Sequence, residues 1–339
     1  EQVASSFPDN TEIQLQLVTG LVNAALGLGN AGRLHESLGY LPQIEQVASS
    51  FPDIAEIQLQ RIRGLVNAAL GLGNADRLDE SLGYLTQLKL VVRSFPDNAE
   101  IQLRLIRGLV NAAIDLGKAE RLDESLGYLP QIEQVALSFP DNAEIQLALV
   151  RGLVNAAIDL GNADRLDESL SYFPQIEQVA RSFPDNAEIQ LQLVMSLVNA
   201  AFGLGKADRL DESLVYLPQL KQVARSFPDN AEIQLALVRG LVNAAIDLGN
   251  AGRLDESLGY LPQIEQVASS FPDNTEIQLA LVRGLYNAAI DLGKVDRLDE
   301  SLGYVEKLEI VCSRYSGIDE FKVYIDFIDD VKKFSLTEA

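Results

Sequence analysis

The sequence predicts an all-α fold, a right-handed α-solenoid of helical-hairpin repeats with a C-terminal capping helix. Two observations carry that prediction. The tripeptide FPD returns at residues 7, 51, 95, 139, 183, 227 and 271, always 44 residues on, and an internal period of about 20–50 residues marks a repeat array. Between these marks apolar residues recur at the spacing of helices and not of strands. Seven repeats therefore span 7–50, 51–94, 95–138, 139–182, 183–226, 227–270 and 271–314. Residues 1–6 read as the end of a truncated repeat, and 315–339 as a capping helix and tail. The opening in mid-repeat predicts that Glu1 is not the natural start; the cap predicts a genuine C-terminus.

The fourth repeat shows how each element is specified. Pro140 has no N–H and pushes Phe139 into an extended conformation, so a helix can begin only after it. Asp141 and Glu144 have capping-box spacing, which predicts Asp141 as the N-cap of a helix A over about 142–160. Gly161 is expected to end that helix as a left-handed C-terminal cap. On a helical wheel, residues such as Ile145, Leu149, Leu153, Ala156 and Leu160 make most of the circumference apolar. The remainder is one stripe about 100° wide, made of Ala148, Arg151, Gly152, Asn155 and Asp159. A helix apolar on three sides has neighbours on three sides. That is the place of an inner helix, and its stripe is expected to line the open groove.

Helix B follows after a short connection, with Asn162 or Asp164 as its expected cap. Leu166, Leu170, Phe173, Ile176 and Ala180 recur at helical spacing and are expected to face helix A. Pro174 interrupts this pattern and should kink or split the helix. Thr86 and Glu306 stand at its place in the second and seventh repeats, so the fold does not depend on it. Three helices per repeat, as in armadillo repeats, is the alternative. The tail lies in register with helix A of an eighth repeat: Tyr315 stands where phenylalanine should, and Phe321, Val323 and Ile325 keep apolar positions. Asp326, Asp329, Asp330, Lys332 and Lys333 then replace residues that would pack against a further repeat, as a soluble terminal cap requires.

Composition narrows the function. A net charge of −22 argues against tracking nucleic-acid phosphates or an anionic membrane surface. Cys312 is the one cysteine, so no intrachain disulfide can form, which fits a reducing, cytoplasmic location. His35 is the one histidine and stands where other repeats carry aspartate, so it reads as a surface substitution. Cys312 takes an alanine position of helix B with no second His or Cys beside it, which leaves neither a metal site nor a thiol nucleophile. Asp167 and Glu168 point about 100° apart on a helix and suit a solvated face. No enzyme activity and no cofactor are expected.

The segment LVNAAIDLG at 153–161 resembles helix A of a tetratricopeptide repeat, with its leucine, small residue and terminal glycine. Asp167, Glu168 and Ser169 resemble that family's acidic, acidic, small start of helix B, and Pro184 its closing proline. The resemblance covers essentially 7–314, but the unit has 44 residues against the family's usual length of about 34, and the bulky helix A aromatics are absent. Pitch and groove width therefore do not carry over. The resemblance implies a use for the stripe. In the family's carboxylate-clamping members, a basic residue and an asparagine four positions apart hold a peptide's terminal carboxylate. Arg63 and Asn67, Arg107 and Asn111, Arg151 and Asn155, Arg239 and Asn243, and Arg283 and Asn287 have that spacing. Thr19 beside Asn23 and Met195 beside Asn199 break the pattern.

Two readings of this stripe stay open. In one, each asparagine amide bonds the next helix, or each arginine pairs with an Asp159-type carboxylate of its neighbour. In the other, the amides bond an extended peptide backbone and the arginines take its carboxylates. The alternation of Gly27, Gly71 and Gly203 with Asp115, Asp159, Asp247 and Asp291 at one stripe position decides neither. Gly152 and its counterparts imply a close approach, of a neighbouring helix or, as the alternative, of a ligand backbone. The expected function is a non-catalytic protein–protein interaction module binding a peptide segment of a partner. The alternatives are a structural spacer or self-assembling scaffold, and the sensor array of a larger multidomain protein.

Overall fold

The computed structural model describes residues 2–337; Glu1 and residues 338–339 of the predicted truncated repeat and tail lie outside the described residues. Every regular element described is helical. By Cα packing the chain divides into two compact units, Glu1–Ala163 and Asp164–Ala339. The first holds α1 (Gln2–Ser6), α2 (Thr11–Asn30), α3 (Leu34–Leu38), α4 (Leu41–Ser49), α5 (Ala55–Gly73), α6 (Leu78–Val92), α7 (Ala99–Lys118), α8 (Leu122–Leu126), α9 (Leu129–Ser138) and α10 (Ala143–Asn162). The second holds α11 (Leu166–Ser171), α12 (Phe173–Ser182), α13 (Ala187–Lys206), α14 (Leu210–Leu214), α15 (Leu217–Ser226), α16 (Ala231–Asn250), α17 (Leu254–Leu258), α18 (Leu261–Ser270), α19 (Thr275–Lys294), α20 (Leu298–Arg314) and α21 (Lys322–Thr337).

In each unit the long helices are the inner ones. In the first, α7 packs on its own hairpin partners α8 and α9 and on α5 and α10 to either side; in the second, α16 does the same with α17, α18, α13 and α19. This three-sided environment is why these helices are apolar nearly all round, and Ile57, Ile62, Leu72, Ile101, Ile106 and Leu116 are fully buried there. The helix α13 is apolar and long enough to cross a membrane by length and composition. Here Ile189, Leu193, Val194, Leu197 and Leu204 are buried in the packing of the hairpins.

Both predicted ends of helix A move. The N-cap is Asn142, not Asp141: its backbone is extended (φ −88°, ψ 102°) and its side chain accepts from the Ile145 N–H at 3.1 Å. Pro140 and Asp141 form the preceding turn, so the first residue free to cap is the asparagine. Asn10, Asn98, Asn186, Asn230 and Asn274 cap their helices identically. Gly161 is not the left-handed cap, because α10 continues to Asn162. The left-handed residue is Asp164 (φ 58°), with Asp76, Glu120, Asp208 and Asp296 at φ 56–59° and Gly32 and Gly252 at φ 73–74°. The Arg121 N–H then bonds the Leu116 carbonyl (2.9 Å) and the Glu120 N–H that of Gly117 (3.0 Å), a Schellman closure. Asp164 and Asn162 are consequently not caps of helix B; Arg165 holds that position and makes no side-chain cap bond.

Helix B tests the role of its proline within one molecule. Pro42, Pro130, Pro174, Pro218 and Pro262 each begin a second segment, as in α8 and α9 or α14 and α15. With Thr86 or Glu306 at that place, α6 and α20 run without a break. The joint residues Gly127 and Tyr128 keep right-handed helical angles (φ −62°, ψ −15° and φ −84°, ψ −23°), so the split is a kink and not a reversal. At the C-terminal end Phe321 is fully buried and stacks on Tyr315 at 4.8 Å. Tyr286, where the other repeats have valine, meets Tyr324 and Phe327 edge-on at 5.3 and 4.8 Å. A wider aromatic fills the space against α21.

Candidate functional site

The stripe on the inner helices is narrower than the wheel implies. Ala148 and Gly152 are buried, and a Cβ on Gly152 would stand 3.4 Å from both Ile132 and Val110. These two belong to the packing, and the surface column is Arg151, Asn155 and Asp159 with their counterparts.

Three arginines of that column have partners other than the Asp159-type aspartates. Arg107 donates to Glu144 in the first turn of the next inner helix at 2.9 Å, and Arg239 donates to Glu276 at 2.9 Å. Arg63 donates to Gln60 one turn back at 2.8 Å. Arg151 and Arg283 are exposed. Of the asparagines, Asn67, Asn111, Asn155, Asn243 and Asn287 are half-buried and Asn199 is exposed. Asn155 donates to the Arg151 carbonyl of its own helix at 2.7 Å, and Asn287 does the same to Arg283 at 2.7 Å. At these two positions the amide reaches its own helix and not the next. Asn111 lines a 20 Å³ cavity together with Ala69, Leu88 and Asp115.

The Asp/Gly alternation has a packing cause. The Asp159 carboxylate lies over Gly117 of the preceding inner helix, where a Cβ would stand 2.1 Å from its Oδ2. Asp115 does this over Gly73, Asp247 over Gly205 and Asp291 over Gly249. Where the position is itself glycine, a leucine side chain approaches instead: Leu34 over Gly71 and Leu166 over Gly203. Burial raises the carboxyl pKa of Asp159 and Asp247, whereas Asp115 and Asp291 pair with Lys118 and Lys294 on the next turn.

A ladder between neighbouring repeats is formed by other residues. Arg121 grips Glu124 at 2.7 Å and, across to the previous repeat, Asp79 at 2.7 Å. Arg209 reaches Asp167, Arg253 reaches Asp211 and Arg297 reaches Asp255 at 2.6–2.7 Å. These hydrogen bonds raise the arginine pKa values and lower those of Glu124, Glu212, Glu256 and Glu300. Among the described residues Arg77 meets only Glu80 in this way, because His35 stands where the aspartate would be.

Two polar positions that the sequence reading passed over hold the repeats together. Buried Gln146 donates to the carbonyls of Ala136 (2.8 Å) and Phe139 (3.1 Å), closing the C-terminal end of the preceding helix; Gln58, Gln190, Gln234 and Gln278 repeat this pair of bonds. Ser125 donates to the Ala113 carbonyl at 2.8 Å and Ser257 to that of Ala245 at 2.7 Å, joining helix B to helix A. The available signal was a polar residue kept at one place in every repeat inside an apolar flank. Above these glutamines lie clefts between consecutive B helices, of 440 Å³ over Gln14, 570 Å³ over Gln190 and 310 Å³ over Gln234. Among the described residues no group of three His, Cys, Asp or Glu side chains is placed to hold a metal ion. Burial pushes the Cys312 thiol up to about 11, away from reactivity.

No family model and no curated protein matches the sequence. Solved structures do. The apo form of RapI superposes with a TM-score of 0.55 at 11% identity, covering 95% of this chain and 90% of that one. A signal transduction ATPase with numerous domains and a tetratricopeptide repeat sensor, from Pyrococcus horikoshii, superposes with a TM-score of 0.54 at 12% identity over 95% of this chain. The fold is tetratricopeptide-like. This chain spans 47% of the length of the ATPase, and identities this low speak for the fold alone. The resemblance carried by residues 153–161 and 167–169 is thus a resemblance of architecture.

Proposed function

We propose that the chain is a non-catalytic protein–protein interaction module that binds a peptide segment of a partner along the arginine and asparagine column of its inner helices. The observation that supports this reading most is the state of the arginines. Arg107 and Arg239 pair with Glu144 and Glu276, but all four side chains are well exposed, and such pairs contribute about 0–1 kcal/mol. A ligand carboxylate can replace the glutamate at little cost. Asn155 and Asn287 each spend one N–H on their own helix, which leaves a second N–H and the carbonyl oxygen for a peptide backbone. Arg63, Asn67, Asn111, Arg151, Asn199, Asn243 and Arg283 complete the proposed contact set.

Replacing Asn155 and Asn243 together with alanine tests this directly. Partner affinity should fall while helicity stays constant, since alanine favours the helix; unchanged affinity would remove the groove assignment. The second reading, a spacer or self-assembling scaffold, draws on the near-identity of the repeats and on the Arg121-type ladder that ties neighbours together. It requires a mass that rises with concentration in light scattering, whereas the first predicts a constant mass.

A further inference from the structure

The fifth repeat departs from the repeats on either side of it on the proposed binding face, and packing does not account for the departure. Met195 stands where its neighbour on α16 has Arg239, and Phe202 stands where α16 and α19 have Ile246 and Ile290. The replacements leave Met195 38% and Phe202 45% exposed. A substitution made for the core would enlarge a buried side chain. This one enlarges a surface side chain and gives up an ion pair.

The lost pair leaves a charge behind. Glu144 and Glu276 each accept from the arginine 37 residues before them, and the same count from Met195 ends on Glu232. Glu232 is exposed, and among the described residues no basic side chain pairs with it. At the other end of the patch Lys206 lies over the Phe202 ring, 5.1 Å from its centroid. Met195 and Phe202 are two turns apart, about 10 Å. An extended chain covers that distance in about three residues. The patch is thus two exposed apolar side chains with the exposed Asn199 between them, an unmatched carboxylate at one end and an ammonium at the other.

We propose that this patch is the specificity anchor of the peptide site. Its occupant is an extended peptide with one or two large apolar side chains, a basic residue facing Glu232 and an acidic residue facing Lys206. The inference rests on the groove reading above and adds which ligand chemistry that groove selects. Repetition of the arginine and asparagine column supplies generic backbone and carboxylate contacts, and the fifth repeat would fix the register.

The test uses the full chain and fluorescein-labelled peptides GKSLSLSDG, GKSSSSSDG and GKSLSLSKG in fluorescence polarisation, in which the recognised side chains lie two residues apart and so on one face of an extended chain. The variant M195R/F202I restores side chains that neighbouring repeats carry, so it folds on the same packing. The wild type is expected to bind GKSLSLSDG about tenfold tighter than either control, and M195R/F202I to bring all three within about twofold of one another. Equal binding of GKSLSLSDG by wild type and M195R/F202I overturns the anchor, as does a wild type that binds none of the probes. The parent reading is separated by N199A/N243A: loss of all probes there, with M195R/F202I silent, keeps the groove and removes the anchor. Loss with M195R/F202I alone keeps the anchor and removes the asparagines. Retention of wild type, and not of M195R/F202I, on phosphatidylcholine vesicles, or a wild-type dimer that the variant makes monomeric, would instead assign the patch to a lipid surface or to a second copy.

Discussion

Adding one methyl group to the same glycine position in two repeats should give opposite results. Gly29 and Gly117 both lie near the C-terminal end of an inner helix, where alanine in place of glycine gains up to about 1 kcal/mol. At Gly29 the new Cβ meets only Ser37 Oγ, at 3.6 Å, because the next repeat has Gly71 at the facing place. At Gly117 it would stand 2.1 Å from Asp159 Oδ2, so the half-buried carboxylate must rotate out of its place. Overpacking of that kind costs about 1–3 kcal/mol. Gly29→Ala is therefore expected to stabilise its hairpin, and Gly117→Ala to destabilise the contact between α7 and α10 by about 1 kcal/mol net. Because unfolding of a repeat array is a sum of local terms, the assay is native-state hydrogen exchange read at the amides of α2, α7 and α10. Adding Asp159→Gly to Gly117→Ala should restore protection, since Gly71 and Gly203 hold that position in other repeats. Equal shifts from the two single variants, or no recovery in the double, would refute the reasoning.

Gln234→Leu should destabilise by about 1–3 kcal/mol, because two carbonyls, of Ala224 and Phe227, lose a buried donor; exchange at α15 and α16 measures it, and a change under a few tenths would count against the junction role. Asp159→Asn and Asp247→Asn should stabilise at neutral pH. Burial raises these carboxyls above their ordinary value near 3.8, so the ionised form is disfavoured only in the folded state. That penalty is complete above the raised value, is relieved as pH falls through it, and is gone below about 3.8. The gain from asparagine should shrink accordingly in denaturation series run from pH 7 to pH 4; a gain that grows on acidification would reverse the assignment.

The period, the three-sided apolar character of helix A and the polar end of the tail were legible because each follows from residue type and spacing along one element. The errors came from contacts between elements. Asp141 and Asn142 are both competent caps, and only the turn at Pro140 decides between them. The glycine at 161 looks like a helix terminator, yet Gly117 and Gly205 face the carboxylates of Asp159 and Asp247, each 42 residues on. Arg107 finds Glu144 at a separation of 37 residues, which no helical wheel displays. Gln146 was hidden for a similar reason: on its own helix it is one polar residue in an apolar face, and its acceptors lie 7 and 10 residues back, in the preceding turn and helix. The proline of helix B was read correctly as dispensable because the chain carries its own controls, Thr86 and Glu306.

The most direct test of the central claim is affinity capture from native lysate, with the intact chain set against a form in which Arg107, Asn111, Arg151, Asn155, Arg239 and Asn243 are alanine. The account predicts a protein retained by the intact chain and lost with the variant, and a peptide of that protein that competes for the intact chain. Equal recovery on both would contradict it and leave the column as a packing feature of a scaffold.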